Sequence, residues 1–478
     1  MTALTPSPSA APVENTPEVS AFTSASKSTP TARRHGNPLI NRGYALLVSG
    51  QAVSILGDIV FTTTVAVWVG VILAHGQAWA ALAVSGALVA AAVPSLLLAP
   101  LAGVFVDRWD KRRTMIVMDA IRAVAILALL AVPFFGAQHW SPLIQLLVVY
   151  GVVFFVNSCQ QFFQPAMLAL INDLVPEELQ PRAMGLAQAS VSLAVIVGPP
   201  LATLALFAVG MQWALLFNAL SFVVSCATVL AIRAPRHATR ATSTAKRSVA
   251  REFGAGLRFY FGNRTLRTLT IVIVIAMLGA GAFQALDIFF VTQNLHTAPA
   301  YYGLLETAQG LGMLIGAIAA GVFAARLGLT RTIWLSLVLV GALALVYARL
   351  TSFLPAAILL FVLGIPLAGI SVACEPLVLR VTPRELLGRV NALLTPMTTL
   401  AGMLAAAVAG YLDSAVLRSF HAALLGQHFG PIDTIFVAAG FVALLGGLYA
   451  LVGLRGTPPS AANDEASASV SVSEQVLA

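Results

Sequence analysis

The chain has 478 residues, 59% of them hydrophobic and 10% charged, with a mean hydropathy of +0.89. Soluble domains carry about 25% charged residues, so this composition excludes a soluble globular protein and defines a polytopic membrane protein. The net charge of +8 does not call for a nucleic-acid partner, because the basic residues are sorted along the chain by position rather than gathered on one soluble face.

Residues 1–40 are rich in Ser, Thr, Ala and Pro and hold no apolar core followed by a small-residue cleavage site. They read as a disordered cytoplasmic tail rather than a signal peptide. A membrane span needs about 20 mostly apolar residues at ~1.5 Å per residue. Runs of that kind follow at residues 44–74, 80–106, 114–134, 142–164, 184–208 and 212–232, then at 268–292, 302–325, 331–349, 354–375, 388–412 and 433–454. Twelve spans are therefore expected. If the first leaves the cytoplasm, 24 of the 27 Lys and Arg fall in cytoplasmic loops and tails, with only Arg349 and Arg418 outside and Arg122 inside a helix. That asymmetry is the one cytoplasmic loops carry. Both termini are then cytoplasmic.

The segment 233–267 carries nine basic residues and one acid, Glu252, and divides the chain into six-helix bundles at 41–232 and 268–455. Its later part, from Glu252 to Phe261, combines basic and apolar residues as a helix on an anionic lipid surface would. A solvated linker whose charges only fix topology is the alternative. Residues 456–478 form a second Ser- and Ala-rich tail.

An internal repeat supports the division. Gly103, Arg108 and Arg113 recur at the same separations as Gly321, Arg326 and Arg331, while Asp107 is replaced by Ala325. Val175-Pro176 through Leu179 and Arg182 recurs as Thr382-Pro383 through Leu386 and Arg389 ahead of the fifth helix of the second half. Both halves enter from the cytoplasm, so the repeats are parallel, related by an axis along the membrane normal.

The loop Gly103-x-x-x-Asp107-Arg108-x-x-x-Arg112-Arg113 carries four basic residues in seven, counted from Asp107, which places it in the cytoplasm. It resembles the loop motif of the major facilitator superfamily, in the form found in drug, macrolide and siderophore exporters. Asp110-Lys111 stands where the motif usually has Gly. Ser54-Ile55-Leu56-Gly57-Asp58 with Phe61, Asp119 with Arg122, and Gly198-Pro199 are similar to the macrolide-efflux and siderophore-exporter branch. Ala202-Thr203 replaces the Gly-Gly of the antiporter motif. The resemblance covers residues 41–455 and implies an all-α integral membrane protein: twelve transmembrane helices in two parallel six-helix repeats, working as a monomer.

A carboxylate near the bilayer centre costs at least ~2.5–3.5 kcal/mol and marks a functional candidate. Asp58 lies about 20 Å along the first helix at ~1.5 Å per residue. Gln51, Ser54, Asp58 and Thr62 recur at intervals of three, four and four, so they form one polar stripe, expected to face a central cavity. Asn157, Gln160 or Gln161, and Gln164 form a second stripe on the fourth helix. Asp287 and Glu306, near the outer ends of the seventh and eighth helices, are the other candidates for carrying a proton or meeting a cationic substrate. Asp119 and Arg122 share one face of the third helix, paired with each other or with the loop. With Gly103, Asp107, Arg108, Arg112 and Arg113 they read as a cytoplasmic gate that the halves break and remake. For each charge the bland alternative is a residue that only orders packing or fixes topology.

Cys159, Cys226 and Cys374 all lie inside apolar runs, which gives neither a disulfide framework nor metal-ligand spacing. No phosphate-binding Gly-rich loop followed by Lys and Ser or Thr is present, so an ATP-driven pump is not expected. No cofactor or metal is implied, and the partners expected are a small molecule, protons and lipid. The favoured function is proton-coupled export of amphipathic molecules by alternating access. A dedicated exporter of one metabolite such as a siderophore, or a lipid-moving relative, is the second reading. A membrane-embedded enzyme or receptor is the third.

Overall fold

The computed structural model describes residues 40–106, 108–132, 134, 139–232, 258–383, 386–418, 420, 422–424 and 427–454. Among them are twelve helices of 19 residues or more: α1 Arg42–Val67, α2 Ala80–Val106, α3 Lys111–Leu129, α4 Pro142–Leu174, α5 Gln180–Leu204, α6 Met211–Ala231, α7 Arg264–Phe289, α8 Tyr302–Leu327, α9 Leu329–Tyr347, α10 Phe353–Val381, α11 Leu387–Tyr411 and α12 Pro431–Gly453. Eleven are long and apolar enough to cross a membrane by composition alone. The remaining one, α3, carries Lys111, Arg112, Arg113, Asp119 and Arg122. The expected all-α membrane fold stands, with one addition. A two-stranded antiparallel hairpin, β1 Ala422–Leu424 and β2 Gln427–Phe429, precedes α12. Its strands are three residues each, below what an amphipathic pattern can reveal.

Helix starts follow side-chain chemistry. Asn41, Asp110, Ser141 and Asn263 each accept a backbone N–H from the first turn of α1, α3, α4 and α7, which satisfies donors that have no helical partner. Asp110, standing where the resembled motif has Gly, thus caps α3 at 2.7 Å. Gly210 at φ 103° and Gly328 at φ 84° make the tight links α5–α6 and α8–α9.

The repeat read from two loops extends to the whole packing scheme. In the first half α1 packs on α5 and α6, α2 on α4, and α3 on α4 and α6. In the second, α7 packs on α11 and α12, α8 on α10, and α9 on α10 and α12. Adding six to each helix number converts one list into the other. The halves meet through α2 with α11 and α5 with α8, which the same operation exchanges. Helices α1, α5, α7 and α11 each continue into a widened π turn, at Trp68–Leu73, Ala205–Val209, Phe290–Asn294 and Leu412–Val416. Large apolar side chains such as Val124, Leu143, Ile318 and Leu354 are exposed, as a lipid-facing surface requires and water would not tolerate.

We call the end of the bundle bearing the 103–113 loop the basic face and the opposite end the far face. The halves touch near the far face. Leu82 N–H donates to Ser414 Oγ at 3.1 Å, and Thr307 Oγ1 donates to the Ile196 carbonyl at 2.8 Å. At Gly410 an added Cβ would lie 2.0 Å from Ser85 Oγ, and at Gly303 it would lie 2.3 Å from the Pro199 carbonyl, so only Gly permits these approaches. One apolar cluster spans both halves there, including Phe61, Trp68, Phe289 and Tyr302. Toward the basic face the core separates into one cluster per half, around Met115, Phe163 and Val229 and around Leu269, Leu337 and Val390. On the basic-face ends of the same four interfacial helices, a Cβ built at Gly103, Gly185, Gly321 or Gly388 meets nothing within 4 Å. Among the described residues the halves are in contact at the far face and apart at the basic face.

Candidate functional site

The densest polar arrangement lies inside the first half and is built from four helices. Arg122 of α3 is 1% exposed and Asp119 is fully buried. The Arg122 guanidinium donates to Asp119 Oδ1 and to Gln160 Oε1 of α4. It is held between two rings, with Cζ 4.6 Å from the Phe163 centroid and 4.3 Å from that of Phe222. Such a sandwich favours a cation that has left water. Asp119 receives a second bond, 2.6 Å long, from Ser225 Oγ of α6, and Gln51 Nε2 of α1 donates to the same Ser225 oxygen at 3.0 Å. Asp58 of α1 stands 3.8 Å from Arg122 with 31% of its side chain exposed. One guanidinium therefore serves two carboxyls: one sealed and fully bonded, the other reachable.

This arrangement revises the expected stripe on α1. Thr62 is exposed and donates only to the Asp58 carbonyl. Gln51 and Ser54 are buried, and Gln51 is engaged with α6 instead of facing a central space. The reason is α1's close contact with α6: at Gly57 a Cβ would lie 2.2 Å from Ser221 Oγ. On α4, Asn157 and Gln161 donate to carbonyls one turn back, and Gln164 is exposed. Only Gln160 joins the site. Asp119 and Arg122 do pair with each other, as expected, but their further partners are Ser225, Gln160 and Asp58, not the loop. Phe222, Ser225 and Asn218 escaped the sequence reading. The signal for α6 was present, since Asn218, Ser221, Ser225 and Thr228 recur at three, four and three inside an apolar run.

The loop itself fastens elements within the first half. Arg112 donates to the Val229 and Leu230 carbonyls at the end of α6, at 3.0 and 2.5 Å, where a cation meets the helix's negative pole. Lys111 pairs with Asp173 at the end of α4 at 2.8 Å, and the Trp109 ring stacks 6.0 Å from Phe162. The Arg113 backbone N–H joins the Asp110 cap, and Arg108 is exposed. Asp107 and most of the basic linker, residues 233–257, lie outside the described residues, and with them the expected latch and most of the expected surface helix; residues 258–262 of that segment are helical.

In the second half Asp287 is 5% exposed and accepts a 2.7 Å bond from Tyr347 Oη of α9. Tyr347 is ringed by Phe283, Phe290 and Phe436, with centroids 5.8, 4.7 and 6.1 Å away. Glu306 of α8 is bonded to Tyr302 and lies near enough for its charge to act on Asp287. The repeat that aligns Arg113 with Arg331 places Leu337 and Val340 where the first half has Asp119 and Arg122, so the ion pair has no counterpart. At the far face a cavity of about 850 Å³ lies between the halves, lined in part by His75, Gln77, Gln293, His296, Asp413 and Arg418.

A bundle of two parallel six-helix repeats, meeting along four helices, closed at one face and carrying charge in its interior, defines a multi-pass membrane transporter rather than an enzyme. The chain belongs to the Major Facilitator Superfamily, whose pattern matches residues 47–292 and again residues 269–476, one match for each half. Macrolide efflux protein A of Enterococcus faecalis is 28% identical over 232 residues, 48% of this chain and 69% of that protein. The multidrug efflux pump Tap of Mycobacterium tuberculosis is 26% identical over 364 residues, 74% of this chain and 83% of its own. Among solved structures, a bacterial homologue of the iron transporter ferroportin in an inward-facing state superposes with a TM-score of 0.66 at 15% identity, covering 87% of this chain and 99% of that one. That likeness concerns the fold.

Proposed function

We propose that this transporter exports amphipathic small molecules, macrolides among them, across the plasma membrane in exchange for protons. In this reading Asp58 is the residue whose protonation drives the cycle. The observation that carries it is the 3.8 Å approach of a partly exposed Asp58 to an Arg122 already bonded to buried Asp119. With Asp58 ionised the group carries one negative charge in excess; a proton or a cationic substrate removes it. A single counter-cation shared by two acids makes binding of the two mutually exclusive, which is what exchange requires. The similarity to the macrolide and multidrug efflux proteins supports the direction and substrate class.

The basic face is assigned to the cytoplasm, with both termini, on the asymmetry of Lys and Arg. The conformation described is then open inward, and the far-face cavity is the vestibule from which the exported molecule departs. Gly103, Gly185, Gly321 and Gly388 give α2, α5, α8 and α11 smooth basic-face ends on which the halves can close when the far face opens. One proton moving down ~150 mV supplies ~3.5 kcal/mol, at ~2.3 kcal/mol per charge per 100 mV, enough for roughly a 300-fold gradient of a neutral solute. The path lies within one chain, so a monomer is the working unit. Asp287 and Glu306 are secondary in this scheme, since Asp287 is only 5% exposed and already bonded to Tyr347.

The test is efflux of erythromycin and a fluorescent lipophilic cation from energised vesicles, with and without a protonophore. The wild-type chain should show protonophore-sensitive transport that Asp58→Asn abolishes. Efflux that persists in Asp58→Asn and still responds to the protonophore would move the coupling role to Asp287 and Glu306.

A further inference from the structure

The polar row on α6 extends beyond the charged site. Asn218, Ser221, Ser225 and Thr228 recur over ten residues, about 15 Å of helix, and the first three are at most 1% exposed. They face α1 at the level fixed by Gly57 against Ser221. Toward the basic face this seam is bonded throughout: Gln51 to Ser225, Ser225 to Asp119, and Thr228 Oγ1 to the Ser225 carbonyl at 2.8 Å. Toward the far face Ser221 Oγ donates to the Asn218 carbonyl at 2.7 Å and to Asn218 Oδ1 at 3.3 Å, but the Asn218 amide finds no acceptor. Among the described residues four buried side-chain polar atoms lack a protein partner, and three of them are in the first half: Asn218 Nδ2 on this seam, Thr64 Oγ1 on α1 and Arg122 Nε on α3 beside Asp58. Asn218 lies one turn beyond Ser221, and Thr64 six residues beyond Asp58, both in the direction of the far face.

A buried donor without a partner costs about 1–3 kcal/mol, and internal water typically resides where two to four such groups converge. The orphan atoms are two donors and a hydroxyl, chemistry suited to water and not to an apolar or bulky ligand. Asn218 stands on α6 against Gly57 of α1, Thr64 is on α1, and Arg122 reaches in from α3 between Phe163 and Phe222, so all three belong to one half.

We propose that this seam holds internal water and is the path by which Asp58 exchanges its proton with the far face, separate from the route of the exported molecule. The inference rests on the coupling role of Asp58. In the step itself the Asp58 carboxylate takes a proton from the adjoining water, each water is reprotonated by the next along the row, and bulk water at the far face supplies the last proton. No electron moves and no other bond changes. The apolar cluster at Phe61, Trp68 and Met211 closes the outer end in the present conformation, so the path opens only when the far face does.

Two measurements on the full chain test this. In a high-resolution cryo-electron microscopy map of the protein in nanodiscs, water density is expected within hydrogen-bonding distance of Arg122 Nε and Asn218 Nδ2; a dry seam overturns the proposal whatever the substrate. In proteoliposomes loaded with radiolabelled erythromycin, Asn218→Leu and the near-isosteric Thr64→Val are compared with Asn218→Ser, which keeps room and polarity. Transport driven by a proton gradient should fall by at least about ten-fold in Asn218→Leu, within the range a lost proton-transfer step commands, and less in Thr64→Val. Asn218→Ser should restore it. Exchange of labelled for unlabelled erythromycin at equal pH moves no net proton and should hold within about two-fold. If gradient-driven transport and exchange fall together, or if both apolar variants transport at the wild-type rate, the seam is structural packing only. A wild-type chain that transports erythromycin without regard to the gradient would instead overturn the coupling reading, and this path with it.

Discussion

In the first half a guanidinium sealed between two rings stands beside two carboxyls; in the second, two carboxyls stand beside tyrosines, and among the described residues neither makes an ion pair. The helix packing around them is the same list of pairs shifted by six. The difference shows that the scaffold does not require the ion pair. Leu337, fully buried at the position that corresponds to Asp119, fills the equivalent place with hydrocarbon alone. Under the proposed function the pair serves coupling and not stability.

Asp58→Asn tests this contrast most severely, with protonophore-sensitive efflux expected to fall about 100-fold or more, the scale of a lost proton-transfer group. Asp287→Asn in the same assay should stay within about three-fold of wild type, under ~1 kcal/mol of transition-state free energy. Equal losses in both variants would erase the distinction between the halves.

The second test imports the second half's solution into the first. Arg122→Val alone leaves Asp119 without its cation and should destabilise the protein by about 3–5 kcal/mol, whereas Asp119→Leu with Arg122→Val should recover most of that loss, since well-packed apolar replacements of buried pairs are often neutral or better. Thermal unfolding in detergent, followed by tryptophan fluorescence, measures both. The double variant should fold and fail to couple. If it is no more stable than Arg122→Val, the pair is structural after all.

How much of this was legible beforehand depended on range along the chain. Twelve spans, the two halves and the repeated loop were readable because hydropathy and loop charge act over 20-residue stretches. Asp58 and the Asp119–Arg122 pair were legible as charges in apolar runs. That Arg122 would reach Asp58 was not, because the contact depends on how α3 is rotated against α1, α4 and α6, which no single helix encodes. The same blindness placed Gln51 and Ser54 in a cavity: a polar stripe tells which residues share a face, not which neighbour the face meets. Asp110 read as a departure from a motif and proved to be a cap, a role its position just before a basic apolar run already offered.

A further contrast is between the two ends of the interfacial helices. Gly303 and Gly410 are in tight contact across the halves at the far face, while Gly103 and Gly321 face open space at the basic face. A side chain at either open position is accommodated now and obstructs only a closed basic face. Gly103→Leu or Gly321→Leu should therefore leave the unfolding temperature within about 1 °C, roughly 1 kcal/mol at this size, yet lower efflux by about ten-fold or more. A cysteine placed near the basic-face end of α5 should at the same time become permanently reactive to a membrane-impermeant thiol reagent in a background lacking the native cysteines. Unchanged transport in both variants would mean that the halves do not close through these glycines.

The smallest effect is expected where the second half's acid meets its tyrosine. Tyr347→Phe keeps the ring among Phe283, Phe290 and Phe436 and removes only the donor to Asp287 Oδ1. A buried acceptor that loses its partner costs about 1–3 kcal/mol, so the unfolding temperature should fall by a few degrees while transport at 25 °C stays near wild type. Asp287→Asn offers an amide oxygen to the same hydroxyl and should be milder still. Tyr347→Phe combined with Asp287→Leu removes donor and acceptor together and should regain most of the stability, because neither group is then left unpaired. Were Tyr347→Phe instead to abolish efflux with stability intact, the second half would carry a working proton site of its own, and the division of labour between the halves would have to be drawn again from Asp287 outward.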